Sequence, residues 1–240
     1  MSGGCPLAFG QKRGASNMSD RPAVIFLDAV GTLFGVRGSV GVQYAKVASR
    51  FGVNLPAVAL NQAFFKSFKA AGSPAFPGCI SREGSALRTR ADLKAKEYAW
   101  WFNIAVQTFQ QVDALQHFSD FEAFFAELFA YFAAIDPWEM YPDVPIALKR
   151  WRRSGIPLGV ISNFDSRIYS VLQGLELLDY FASITISTEI GIAKPDRQIF
   201  EVALHKHECL PQNAWHIGDS FAEDYEAAQN AGLRGIWLSR

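Results

Sequence analysis

The chain carries no excess of charge, no cysteine framework and no long apolar run. Its 23 Lys and Arg equal its 23 Asp and Glu, so the net charge is zero with His neutral. A neutral chain without a basic cluster lacks the field that draws proteins to nucleic acid or to anionic lipid, so neither partner is expected. The three cysteines, Cys5, Cys79 and Cys209, are odd in number and far apart. That argues against a disulfide framework or a CxxC metal site and suits free thiols in a reducing cytoplasm. The histidines, His117, His205, His207 and His216, show no HxxxH or HExxH spacing, and His216, inside an expected strand, reads as a satisfied core histidine. No stretch reaches the roughly 20 apolar residues of a membrane span. The most apolar region, 121–135, is interrupted by Glu122 and Glu127. Its Phe121, Phe124, Phe125, Leu128, Phe129 and Phe132 recur at helical spacing, as in a packed amphipathic helix. Residues 1–20 hold several Gly and Ser but no apolar h-region. They read as a disordered leader rather than a signal peptide, with Met18 an alternative start.

Half of the residues are hydrophobic, enough for one core or for a core with a smaller companion. Residues 23–27, Ala-Val-Ile-Phe-Leu, form a continuous run rich in β-branched and bulky side chains, as in a strand buried on both faces. From 34 to 134 the pattern is almost wholly helical, with helices expected over 41–51, 56–70, 90–112 and 119–134 and a Gly/Pro-rich loop at 71–78. This loop is either a plain connection or a specificity element. From Tyr141 onward strands and helices alternate. Helices are expected at 143–154, 167–178, 196–208 and 222–231, and strands at 158–162, 184–187, 214–217 and 235–238. Such alternation predicts an α/β fold, an open parallel sheet with helices on both faces. The all-helical stretch then becomes an insertion after the first strand, which divides the chain into a core of 21–34 plus 141–240 and an inserted unit of 35–140.

Four polar clusters fall at the C-terminal ends of four expected strands, the edge where open α/β sheets bind ligands. They are Asp28; Ser162 with Asn163; Lys194 before Pro195; and Asp219 with Ser220 and Asp224. Any one alone could be a turn or helix-cap residue. Together they supply what phosphoryl transfer needs. Asp28 can attack phosphorus. Asp28 and Asp219 can hold Mg2+ through hard oxygen ligands. Ser162 and the backbone N–H groups near Asn163 can hold phosphate oxygens, and Lys194 can neutralise them. Asp224 reads as a metal or second-layer carboxylate or as a helix-start residue, and Glu223 as a solvated one. The adjacent Trp100 and Trp101 read as helix packing, with one of them able to reach a cleft.

With these clusters in this order, the chain resembles the haloacid dehalogenase superfamily. The residues that carry the likeness are Asp28, Gly31, Thr32 and Leu33; Ile161, Ser162 and Asn163; Lys194 and Pro195; and Gly218, Asp219, Ser220 and Asp224. The run from Val160 to Arg167, with Trp100 and Trp101, resembles the group of haloacid dehalogenase-like hydrolase domain-containing protein 3. The resemblance implies a Rossmann-like core with a helical C1 cap over 35–140. It also implies a small phosphorylated substrate, an aspartyl-phosphate on Asp28, and Mg2+ held by Asp28, the Val30 carbonyl, Asp219 and Asp224.

The sequence departs from the family's phosphatases at Val30, where they place a second Asp as general acid and base. Val transfers no proton, and that function is typically worth about 100- to 10,000-fold, or about 3 to 5.5 kcal/mol. Weak hydrolysis is one expectation, and a pseudoenzyme that binds an anion or a protein partner is another. A metal-free 2-haloacid dehalogenase is a third, since those enzymes also lack the second Asp. Against it, Asp219 and Asp224 are kept, and the halide-binding Arg expected about thirty residues after Asp28 is absent. Residues 58–61 read Val-Ala-Leu-Asn, and Arg50 lies out of register.

Overall fold

The computed structural model describes residues 21–77 and 90–240. The expected leader, Met18, Cys5, Cys79 and the last residue of the Gly/Pro-rich loop lie outside them.

Strand β1 (Val24–Leu27) is buried along its whole length at the centre of a five-stranded parallel sheet. β1 pairs with β4 (Leu158–Ser162) on one side and β6 (Ala214–Gly218) on the other. β5 (Ser183–Ile186) and β7 (Arg234–Trp237) form the edges. The two-sided burial follows from period-two geometry. Ile25 and Leu27 face one core, with Leu148, Val160, Ile168, Val171 and Leu172. Val24 and Phe26 face the other, with Ile199, Phe200, Ala203, Ala214 and Ala228. Helices α5 (Val144–Arg153) and α6 (Ile168–Gly174) cover the first face, and α8 (Arg197–His205) and α9 (Ala227–Asn230) the second. A four-residue helix, α7 (Ser187–Ile190), follows β5 directly.

Helices α1 (Val40–Arg50), α2 (Ala57–Ala71), α3 (Arg90–Gln111) and α4 (Phe121–Tyr131) come between β1 and β4. They enclose a hydrophobic cluster of their own, built on Tyr44, Leu60, Phe64, Ile104, Phe109 and Phe124. Ser39 caps α1 by accepting from the Val42 amide, and Asp120 caps α4 by accepting from Ala123. The chain enters and leaves this group through an antiparallel ribbon, β2 (Phe34–Val36) and β3 (Trp138–Met140), with Phe34 opposite Met140. The sequence pattern reads 34–134 as almost wholly helical, with the first helix from 41, and does not show this ribbon. Three-residue strands are too short for a period-two signal.

Three further elements differ from expectation. The helix expected over 222–231 opens as a π-helical segment, Phe221–Glu226, before α9. The helix expected over 167–178 stops at Gly174, and the chain turns through Glu176 at φ 59°. Ser187, expected to end a strand, begins α7. Among the described residues no helix is long and apolar enough to cross a membrane.

Candidate active site

All strands of a parallel sheet end at one edge, and the loops leaving that edge bring the four clusters together. Asp28 follows β1 and is buried. Lys194, 2% exposed, lies at the centre: its Nζ donates to Asp28 Oδ1 at 2.7 Å and to Asp224 Oδ1 at 2.5 Å. Asp224 Oδ1 also meets His216 Nε2 at 2.9 Å, and its Oδ2 accepts from the Ser220 amide at 3.0 Å. Asp219 reaches the site from the loop after β6. Thr32 donates to its carboxylate, and the Trp237 indole holds its backbone carbonyl.

Two glycines make this packing possible. Gly31 has φ +92°, and a Cβ there would lie 2.3 Å from Asp219 Oδ2. A Cβ on Gly218 would lie 2.1 Å from Asp224 Cγ.

Oxygens of Asp28, Asp219 and Asp224 lie within 4.8 Å of one another. Three carboxylates thus face one ammonium. Burial raises Asp28 above the ordinary carboxylate value against the pull of Lys194. Burial, then the charges of Asp28 and Asp224, raise Asp219. Burial works against the charge of Lys194, but Asp28 and Asp224 overcome it and push its pKa up. Asp224 is the reverse case: despite burial, the His216 hydrogen bond and the Lys194 charge hold it well below the usual range. Hard oxygen donors with uncompensated negative charge suit a divalent cation such as Mg2+.

Ser162 ends β4 and is buried. The Asn163 side chain clips the Lys194 loop in place, donating to the Lys194 carbonyl at 2.9 Å and accepting from its amide at 2.8 Å. It also donates to Glu223 at 3.1 Å, so Glu223, expected to be solvated, is a half-buried partner of the site. His216 is buried as expected but only half satisfied, since its Nδ1 has no hydrogen-bond partner. Val30 is half-buried beside Gly31 and lines the adjoining cavity.

That cavity, about 490 Å³, lies between the inserted helices and the C-terminal edge of the sheet. Val30, Gly31, Asn163 and Asp219 form its floor. Trp101 is the member of the Trp pair that reaches it, and its indole donates to Asp165 at 2.6 Å. Asp165 also takes a two-pronged ion pair from Arg167, whose guanidinium lies 4.0 Å from the Phe129 ring centroid. Glu97 of α3 is a second link to the sheet edge, accepting from Ser166 and Thr188. The sequence pattern assigns no site role to Glu97, nor to Asp165 and Arg167, which it marks only as part of the 160–167 run that carries the subgroup resemblance. Beyond that run, their signal is position: Asp165 and Arg167 lie within about a turn of the end of β4, and Glu97 lies in mid-helix. Part of the Gly/Pro-rich loop also reaches the core: the Phe76 carbonyl would lie 2.7 Å from a Cβ on Gly191. Arg50 is elsewhere, paired with Glu127 on the surface.

A model of the haloacid dehalogenase-like hydrolases matches residues 22–232. A haloacid dehalogenase-like hydrolase domain-containing protein 3 from Bos taurus is 32% identical over 212 residues, which is 88% of this chain and 80% of the relative. A HAD phosphatase from Thermococcus onnurineus has a similar fold, with a TM-score of 0.55, 20% identity and coverage of 90% and 86%. So does an L-2-haloacid dehalogenase from Xanthobacter autotrophicus, with a TM-score of 0.61, 16% identity and coverage of 91% and 79%. From its motifs and its matched length, the chain belongs to the haloacid dehalogenase-like hydrolases.

Proposed function

We propose that this chain is a Mg2+-dependent hydrolase of a small phosphorylated molecule, working through an aspartyl-phosphate on Asp28. The observation that carries the reading is the buried Lys194 bridging Asp28 and Asp224, with Asp219 alongside and its oxygens within 4.8 Å of theirs. A 2-haloacid dehalogenase has no use for this excess of carboxylate. Asp28, Asp219 and the Val30 carbonyl would hold Mg2+. Asp224, whose oxygens already serve Lys194, His216 and Ser220, would act by fixing Lys194. When bound, the metal neutralises charge on the transferring phosphoryl group. Lys194 holds Asp28 in place for attack and faces the phosphoryl oxygens with a charge that cannot be lost at neutral pH. Ser162 and the backbone beyond it hold the same oxygens. The inserted helices act as a lid, because the cavity they roof has the catalytic residues in its floor. No carboxylate stands at Val30, so turnover is slow. That residue also supports a second reading, a protein that binds phosphate without consuming it.

Acetyl phosphate tests the assignment, because its leaving group needs no proton. Mg2+-dependent hydrolysis that is lost in Asp28→Asn is expected. Calorimetry should show beryllofluoride binding only with Mg2+ present. Binding without hydrolysis would establish the second reading. Metal-independent halide release from 2-chloropropionate would overturn both.

A further inference from the structure

We propose that the substrate is an aryl phosphate, an uncharged flat aromatic alcohol esterified to phosphate, with its ring seated in the cavity beneath the inserted helices. This rests on the phosphatase reading and narrows it to a leaving group. The wall above Val30 is built from Phe64, Phe65 and Phe68 of α2, Trp101 of α3, and Phe129 and Phe132 at the end of α4. Three of these rings are close to parallel. Phe64 lies at 7° to Trp101 and at 23° to Phe68, and Phe68 lies at 28° to Trp101, with centroids 5.6–6.5 Å apart. Aligned ring faces offer a flat ligand offset stacking that an alkyl chain does not obtain. The volume, about 490 Å³, suits a small ligand.

Among the described residues, the cavity also offers no free charge to the leaving group. Its charged lining residues are Arg167 and Asp219. Arg167 is neutralised by Asp165 through two hydrogen bonds and spends a third on the Phe129 carbonyl. Asp219 belongs to the carboxylate cluster. A leaving group such as serine, with an ammonium and a carboxylate, finds no free charged partner among these residues.

Val30 fits the same substrate. Tyr44 and Tyr141, the phenols in the lining, are pushed up by burial and are poor acids at neutral pH. A substrate suited to this site releases its oxygen without help. The Asp28 carboxylate oxygen forms the bond to phosphorus, the P–O(aryl) bond breaks, and its electron pair leaves on a phenolate. Water then attacks phosphorus, the bond to Asp28 breaks, and the carboxylate returns. The products are a phenolate and dihydrogen phosphate, and solvent sets their final protonation.

Calorimetry on the full chain with Mg2+ tests the binding half, using 2-naphthylphosphonate against propylphosphonate. Burying the two fused rings in place of a propyl chain predicts about 10- to 100-fold tighter binding of the naphthyl compound. Phe68→Ala should cut that ratio at least about fivefold. Phe65→Ala, at the exposed rim, should cut it by a smaller factor and serves if the first variant does not fold. Turnover tests the other half: 2-naphthyl phosphate should have a KM about tenfold or more below that of acetyl phosphate, which needs no acid but has no ring. Equal affinities for the two phosphonates, or equal KM values with acetyl phosphate turned over, overturn the inference and leave the phosphatase reading intact. If neither beryllofluoride nor any phosphonate binds, the phosphatase reading falls and this inference falls with it.

Discussion

In the proposed reaction, Lys194 and Val30 are the residues on which the chemistry turns. A buried ammonium shared by two carboxylates is sensitive to loss of either side, because the remaining charge has no solvent. Lys194→Met leaves Asp28 and Asp224 facing each other uncompensated, which should cost about 3 to 5 kcal/mol at pH 7. Urea unfolding should show this loss shrinking at lower pH, as Asp28, already raised by burial, takes up a proton. A loss below about 1 kcal/mol would mean the pair is more solvated than its geometry suggests. Val30→Asp restores a proton carrier beside the nucleophile. Turnover should rise by up to about 100- to 10,000-fold on alkyl phosphates, and by much less on aryl phosphates, whose leaving group needs no proton. The double variant with Asp28→Asn should be inactive, which guards against a contaminating phosphatase. Equal gains on both substrate types would show that proton supply is not what the wild type lacks.

At the scale of single elements, α3 is the helix that ties the insertion to the sheet edge. Its Glu97 is 1% exposed and accepts from the Ser166 amide at 2.9 Å, the Ser166 hydroxyl at 2.5 Å and the Thr188 hydroxyl at 2.6 Å. Burial raises its pKa above 4.5 despite these donors, with the charge of Asp165 adding to the rise. The folded chain therefore holds this proton more tightly than the unfolded chain. The stability it contributes is complete below pH 4.5 and is lost as pH rises through the raised value. Glu97→Gln removes the titration and keeps the shape. Thermal melts should then show wild type losing stability relative to the variant above pH 4.5, with a constant difference below it. Parallel curves across that range would place the Glu97 pKa at its ordinary value.

For the whole molecule, a ligand that binds only the folded chain stabilises it by mass action. Mg2+ with beryllofluoride at about 100 times its dissociation constant should add about 2.7 kcal/mol. For a chain of this size that is a rise in melting temperature of about 5 to 10 °C. Mg2+ alone should do less, because the anion completes the site. A rise of the same size in Asp219→Ala would remove Asp219 from the metal site.

Sequence alone determined the edge that carries the candidate site. The β-branched apolar run at Val24 to Leu27 reads as a strand covered on both faces, and the alternation after Tyr141 predicts a parallel sheet. Parallel strands all point one way, so Asp28, Ser162, Lys194 and Asp219, each placed after a strand, had to meet at one edge. The inserted helices were equally legible, since apolar residues recur at helical spacing, Val and Tyr in α1, Leu and Phe in α2, and Phe, Leu and Tyr in α4. Only the tertiary structure decided which polar groups became partners. Lys194 meets Asp28 across 166 positions, and Trp101 meets Asp165 across 64. Pattern periods report which face of an element is buried, not what lies opposite. The β2–β3 ribbon was hidden for a related reason: Phe34–Val36 and Trp138–Met140 are too short to show a period and pair only because the helices between them close a loop. The cavity is the furthest from the sequence. Phe64 and Phe68 read simply as part of a helix and Trp101 as helix packing able to reach a cleft, and they become a wall beside Val30 only once α2 and α3 are packed over the sheet edge.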